Sequence, residues 1–261
     1  MDSAPFPRTT IALMYHALGA DASGPGVDPH YTVDLPRFSA QLALCARIGG
    51  TAISARDWLS GRRGVIVTFD DGHESNYRVG LPTLLAAGAR ADFFVNPAQV
   101  GTTGFATWAQ LREMADAGMS IQSHGLDHSY FLTDLSPYHL RDDLRRSKQE
   151  IEQHVGHPVT LLAPPGGRSP ARLEPIAIEC GYTHVLDSKP GRVVSEQERT
   201  LSRLAVTSHL PLGQLEAWLQ RRGASIFRLQ VRYSVLDLAK RALGDETYES
   251  LRKRLLGTPE A

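Results

Sequence analysis

Cysteine is scarce here: two residues in a chain of 261, Cys45 and Cys180. They lie far apart in apolar, helix-like segments and form no CxxC pair, so neither a disulfide framework nor a thiolate metal site is expected. Both read as small buried residues. An excess of one charge is also lacking. The 28 Lys and Arg match the 28 Asp and Glu, giving a net charge of zero, and bulk electrostatics make no case for nucleic acid or an anionic surface as partner. No apolar run approaches the roughly 20 residues that cross a bilayer. The first residues carry no basic patch, apolar core or cleavage-site pattern, so a cytoplasmic location is expected. No internal repeat or low-complexity segment is visible.

What is present is an alternation of short apolar runs and longer helical patterns. Strands are predicted at 10–15, 65–69, 91–95, 119–123, 159–163, 183–186 and 201–206. Helices are predicted at 35–48, 75–87, 108–117, 137–155, 171–180, 212–220 and 231–256. Glycines at 49, 50, 88, 118, 156 and 181 follow helical patterns, where a left-handed C-terminal residue is expected. Alternating strand and helix with short connections predicts a parallel sheet or barrel. The chemically interesting residues then fall into place. His16, Asp70, Asp71, His124 and the turn Pro164-Pro165-Gly166-Gly167 all lie just past the C-terminal ends of predicted strands, the face on which α/β barrels build their sites. We expect a catalytic barrel over 1–220 and a helical extension packed on it over 221–261.

Two motifs dominate. Thr68-Phe69-Asp70-Asp71-Gly72 ends one apolar run with two adjacent acids. Ser123-His124-Gly125-Leu126-Asp127-His128 ends another with two histidines four residues apart. In a helical turn those imidazoles would share a face. Two His and one carboxylate leave positions open for water and substrate, as a catalytic zinc site requires. The second carboxylate is a spare base. The bland readings are an Asp-Gly turn and incidental histidines. Two His and a carboxylate also suit iron in an oxygenase, but the extra acid beside the ligand favours metal-assisted hydrolysis.

These two motifs and the Pro-Pro-Gly-Gly turn resemble the first three motifs of the polysaccharide deacetylases, the NodB-homology group or carbohydrate esterase family 4, over roughly 10–206. The resemblance implies a distorted (β/α)7 TIM-like barrel and a divalent metal, usually zinc. The implied reaction removes N-acetyl groups from N-acetylglucosamine-type sugars in a polysaccharide or its precursor. It assigns Asp70 as general base and Asp71, His124 and His128 as metal ligands. Cobalt, nickel or iron would suit the same donors. A backbone N–H near Gly166 can serve as an oxyanion donor.

The chain departs from the family pattern in two places. The third motif lacks its leading Arg and its aromatic, and Arg168 and Arg203 are the candidates to replace that Arg. The late Leu-x-His motif is unclear, but Tyr15-His16 resembles the opening of the exopolysaccharide-type enzymes, which points to His16 as the general acid. First and last strands are neighbours in a closed barrel, so this exchange of position is geometrically cheap. Trp108 is read as a sugar-stacking ring or a core anchor. Tyr130 and Phe131 are read as a sugar platform or as residues buried under their loop. Asp187 matches loosely the acid that holds the third-motif Arg.

The tail is rich in Arg and Lys, with Val231, Val235, Leu238 and Ala242 at helical spacing. Amphipathic helices packed on the barrel are expected, with weak attachment to an anionic membrane surface as the sharper alternative. For the chain as a whole, the partner expected is an N-acetylated glycan and not nucleic acid. Two other functions stay open: a glycan-binding protein that has lost catalysis, and a barrel hydrolase of small-molecule amides.

Overall fold

The computed structural model describes residues 9–19, 24–131, 135–220 and 223–243. In chain order the elements are β1 (Ala12–Tyr15), α1 (Leu35–Ile48), β2 (Ala52–Ile53), α2 (Ala55–Leu59), β3 (Val65–Phe69), α3 (Leu81–Ala86), β4 (Asp92–Val95), α4 (Trp108–Asp116) and β5 (Ser120–Ser123). They continue with α5 (Pro137–Val155), β6 (Leu161–Leu162), α6 (Leu173–Glu179), β7 (His184–Leu186), β8 (Thr200–Leu201), β9 (Leu204–Ala205), α7 (Leu212–Leu219) and α8 (Gly223–Leu243).

Local chemistry sets the helix starts. The Asp34 carboxylate accepts from the Arg37 N–H ahead of α1, and Ser136 accepts from the His139 N–H ahead of α5. Thr107 and Gln110 cap α4 reciprocally, each satisfying a donor the helix leaves free. The expected single helix over 75–87 is instead a wide π-helical turn, Asn76–Gly80, followed by α3. Pro82 has no N–H to give to the preceding turn, which relaxes the usual hydrogen-bond spacing there.

The strands form one curled parallel sheet in the order β8-β7-β6-β5-β4-β3-β1-β9, with β2 also paired to β3. This is the distorted (β/α)7 barrel that the family resemblance implied. Alternate residues serve opposite faces, as a pleated strand requires. Leu13, Val67 and Phe93 pack outward under the helices. Ala12, Ile66, Phe94, Leu161 and Leu201 form a second cluster on the inner face. Strands buried on both faces explain why the apolar runs are continuous rather than alternating.

The predicted strand 201–206 divides. Its first half pairs with β7 and its second half with β1, at opposite ends of the sheet. Only Ser202 and Arg203 separate β8 from β9. The chain thus steps across the seam of the barrel between two residues.

Register places the loops that matter. Tyr15 pairs with Phe69, Val95 with Ser123, and Ser123 with Leu162. His16, Asp70, Asn96, His124 and Ala163 therefore emerge side by side at one end. In α8, Ile226 is buried and Leu229 packs on the core, whereas Phe227, Val231 and Val235 face solvent. Arg221, Arg222 and everything from 244 onward lie outside the described residues, as does part of the expected helix 231–256. Among the described residues no helix is long and apolar enough to cross a membrane.

Candidate metal and acid–base site

Asp71 Oδ1 lies 3.2 Å from His124 Nε2 and 3.1 Å from His128 Nε2. One ligand atom from each residue can be chosen so that all three lie within 4.8 Å of one another. Asp71 leaves β3 with a left-handed backbone, φ 72°, and His128 has φ 66°. Among the described residues these are the two non-glycine positions in that region, where a side chain costs energy that surrounding structure must hold. Gly72 follows at φ 72°, and a Cβ there would come 3.0 Å from the Val95 side chain.

The His124–His128 segment differs from the expected helical turn. It is an irregular loop that bends at Gly125, φ 78°. The imidazoles converge because the loop is tied down, not because they share a helix face. His124 N–H donates to the Val95 carbonyl at 2.9 Å. Asn96 Nδ2 donates to the His124 and Gly125 carbonyls. Ser147 Oγ donates to the Gly125 carbonyl at 3.0 Å, and Leu126 N–H donates to Asp143 Oδ1 at 3.1 Å.

The donor set fits a divalent metal. His124 is buried, and its Nδ1 lies 2.8 Å from the Ala163 carbonyl. That contact fixes the ring and leaves Nε2 as the ligand atom, the usual outer support of a metal histidine. Burial opposes ionisation of Asp71, but hydrogen bonds from His124 and His128 outweigh it and hold the carboxyl well below the ordinary range. The same bond to Asp71 raises the His128 pKa. A carboxylate and two imidazoles so arranged are the hard and borderline donors that zinc, cobalt and nickel accept.

Asp70 points elsewhere. Arg203 Nη1 and Nη2 donate to its two oxygens at 2.6 and 2.8 Å. Both residues are buried. Burial alone would raise the Asp70 pKa; the Arg203 charge beside it brings the net result below the ordinary value. Arg203 Nε donates to the Asp187 carbonyl at 3.1 Å, Nη1 also reaches Thr68 Oγ1 at 3.2 Å, and the guanidinium lies over Phe94. Of the two candidate arginines, Arg203 is the one that meets Asp70. Asp187 supports it through its backbone oxygen.

His16 follows β1, and the Asp70 N–H donates to the carbonyl of the residue before it, Tyr15, at 2.9 Å. The His16 ring packs 4.7 Å from Tyr31, and its Nδ1 is buried without a partner. In the Pro165–Gly167 turn, Gly166 has φ 58°. Gly167 N–H bonds the Pro164 carbonyl and Arg168 N–H the Pro165 carbonyl, which leaves the Gly166 N–H outside both bonds. Arg168 stacks on Tyr130. Trp108 stacks on His154 at 4.4 Å, between α4 and α5, and packs against the core. Its contacts are those of an anchor, and the structure does not bring it to the triad. Phe131 is buried and Tyr130 is exposed.

Asn96 and Asp143 escaped the sequence reading. Asn96 had a usable signal, a polar residue just past a barrel strand. Asp143 had none, since it sits among the many charges of α5.

Residues 60–185 match the family model described as polysaccharide deacetylase. A Bacillus subtilis (strain 168) protein named "Putative polysaccharide deacetylase YxkH" is 31% identical over 133 residues, 51% of this chain and 47% of that protein. The chain thus matches about half the length of that relative. Streptococcus pyogenes deacetylase PplD, solved in complex with acetate, superposes with a TM-score of 0.73 at 23% identity, covering 82% of this chain and 99% of that one. A de-N-acetylase from Aggregatibacter actinomycetemcomitans superposes with a TM-score of 0.70 at 19% identity, covering 80% and 99%. At these identities the two structures establish a shared fold.

Proposed function

Because the chain belongs to the polysaccharide deacetylase family through residues 60–185, we propose that it is a metal-dependent hydrolase that removes N-acetyl groups from N-acetylglucosamine-type sugars in a polysaccharide or its precursor. The observation that carries this reading is the separation of the two acids. Asp71 faces His124 and His128, while Asp70 is gripped by Arg203. A site for binding alone has no use for a second, oriented carboxylate. The N-acetyl linkage is supported by the fold shared with a protein described as a de-N-acetylase. The exopolysaccharide-type variant is supported by the Tyr15-His16 opening.

Asp71, His124 and His128 would hold a divalent cation, zinc or a relative such as cobalt or nickel. Bound there, it would supply Lewis acidity, polarising the acetamide carbonyl and acidifying a water. Asp70 takes a proton from the water that attacks the amide carbon. Arg203 keeps that carboxylate ionised and fixed in direction, so no reorientation is needed as the proton moves. The Gly166 N–H donates to the carbonyl oxygen as negative charge develops on it. His16 gives a proton to the sugar nitrogen as the C–N bond breaks, because an amide anion is a very poor leaving group. Acetate and a free amine result.

The test is acetate release from N-acetylglucosamine oligomers, with and without added zinc, by wild type and Asp70→Asn. Zinc-dependent release that the substitution abolishes supports the proposal. Binding of the oligomers with no release by wild type would favour a glycan-binding protein instead.

A further inference from the structure

The two histidines of the triad are held in different ways. His124 is buried, and its backbone N–H and its Nδ1 are both fixed on neighbouring strand ends, at the Val95 and Ala163 carbonyls. His128 is 31% exposed and has φ 66°. A residue other than glycine keeps that conformation only while its surroundings impose it.

The surroundings act on Leu126, midway between the two ligands. Its carbonyl accepts from the Ala98 N–H at 3.0 Å, in the loop that follows β4. Its N–H donates to Asp143 Oδ1 at 3.1 Å, in α5. The same oxygen is 3.4 Å from where a Cβ on Gly125 would stand, so the carboxyl lies close against the bend itself. One turn along the same face of α5, Ser147 Oγ donates to the Gly125 carbonyl at 3.0 Å and lies 2.8 Å from Ser123 Oγ, which accepts the Gly125 N–H at 3.2 Å. The loop between the ligands is therefore hung on one helix face. Asp143 supplies the bond nearest to His128.

A carboxyl is a costly group at this place. Burial first, with the charges of Asp127 and Asp142 added to it, pushes its pKa up from 3.8 to about 7. What offsets that cost is the N–H it accepts from Leu126.

We propose that Asp143 is the positioning residue of His128: through the Leu126 peptide it sets where that imidazole stands relative to Asp71 and His124, and so how tightly the triad grips a cation. It works as an oxygen acceptor and lies outside the ligand set. This rests on the cation-site part of the proposed function.

The full chain is stripped of metal, and its zinc Kd is measured by competition with a chromophoric chelator. Visible spectra are taken with cobalt in place of zinc. Asp143→Leu, which offers the Leu126 N–H no oxygen, is expected to raise the zinc Kd about 10–100-fold, the range for losing an outer support of a ligand. The cobalt bands should shift as His128 moves. Asp143→Asn keeps an oxygen on the same stem and should return both readings to wild type. Glu152→Leu is the control for damage to α5 alone. Glu152 accepts the Val159 N–H at 2.8 Å from the same helix, and its loss should lower the urea midpoint and leave Kd in place. If Asp143→Leu does not fold, Asp143→Ala carries the same expectation.

The proposal is overturned if removing the Asp143 oxygen leaves Kd and spectrum unchanged, if Asp143→Asn binds as weakly as Asp143→Leu, or if Glu152→Leu weakens zinc equally. Zinc affinity that follows Asp143, with no acetate release by wild type, would keep the positioning role and refute the deacetylase reading. Release by wild type with a Kd indifferent to Asp143 would do the reverse. A wild type that binds no zinc would overturn both.

Discussion

Arg203 and Asp70 meet as a bidentate pair across 133 residues of sequence, with contacts of 2.6 and 2.8 Å and no solvent on the arginine. Taking either partner away leaves an uncompensated buried charge. Arg203→Met is therefore expected to cost about 3–5 kcal/mol of stability, read by urea unfolding. The sign with pH follows from the lowered Asp70 pKa. Its stabilising share is present above the ordinary carboxylate value and is lost as pH falls through the lowered one. Arg203→Lys, which keeps a charge but not the fork, should move the acidic limb of kcat/KM upward. An unchanged limb would show that Arg203 does not set the base.

His16→Gln should lower kcat by about 10²–10⁴-fold, the range for losing a proton donor. Metal content should not change, because His16 is outside the triad. Full turnover by this variant would remove His16 from the mechanism.

His128→Ala and Asp71→Asn should abolish stoichiometric zinc binding, measured as metal content after dialysis. Wild type should also gain about 2.7 kcal/mol when free zinc stands at about 100 times its Kd. Neither variant should show that gain. A zinc response kept by both would place the cation elsewhere.

Asp92 offers a prediction about stability alone. It is fully buried, Oδ2 accepts from the Ala55 N–H at the start of α2, and Oδ1 has no partner. Burial pushes its pKa up from 3.8 to about 6. A raised acid favours the folded state at low pH, fully so below about 4, and that share fades as pH rises through about 6. The effect is roughly 3 kcal/mol at most. Asp92→Asn should flatten the stability profile across this window. Equal slopes for the two proteins would assign the charge cost to another group.

Much of this was readable from residue order. Short apolar runs ending in acids and histidines pointed to a parallel sheet or barrel and its open end, because strand ends converge whatever the loops do; the resemblance to the deacetylases implied Asp71, His124 and His128 as the ligand set, and the structure brings those three together. A spacing of four positions between two histidines suggested a helical turn, yet Gly125 and Asn96 make a tethered loop, and side-chain tethers leave no periodicity. The choice of Arg203 over Arg168 was also hidden. It depends on which arginine the closing seam turns inward, a property of pairing partners 133 residues apart. Tyr130 followed the same logic: its ring lies against Gly166, a residue of a different loop. The apolar repeat that includes Val231 and Val235 read as the face by which a helix packs on the barrel, but those two side chains face solvent.

The two-residue step between β8 and β9 has a consequence for assembly. The three proposed cation ligands are all present by His128, so a nascent or clipped chain lacking its last third could retain a place for the ion. It would not yet have the arginine that disciplines Asp70, which arrives only when the final strands stitch the sheet's two margins together. Completing the enclosure and placing the Arg203 guanidinium on Asp70 are then one event.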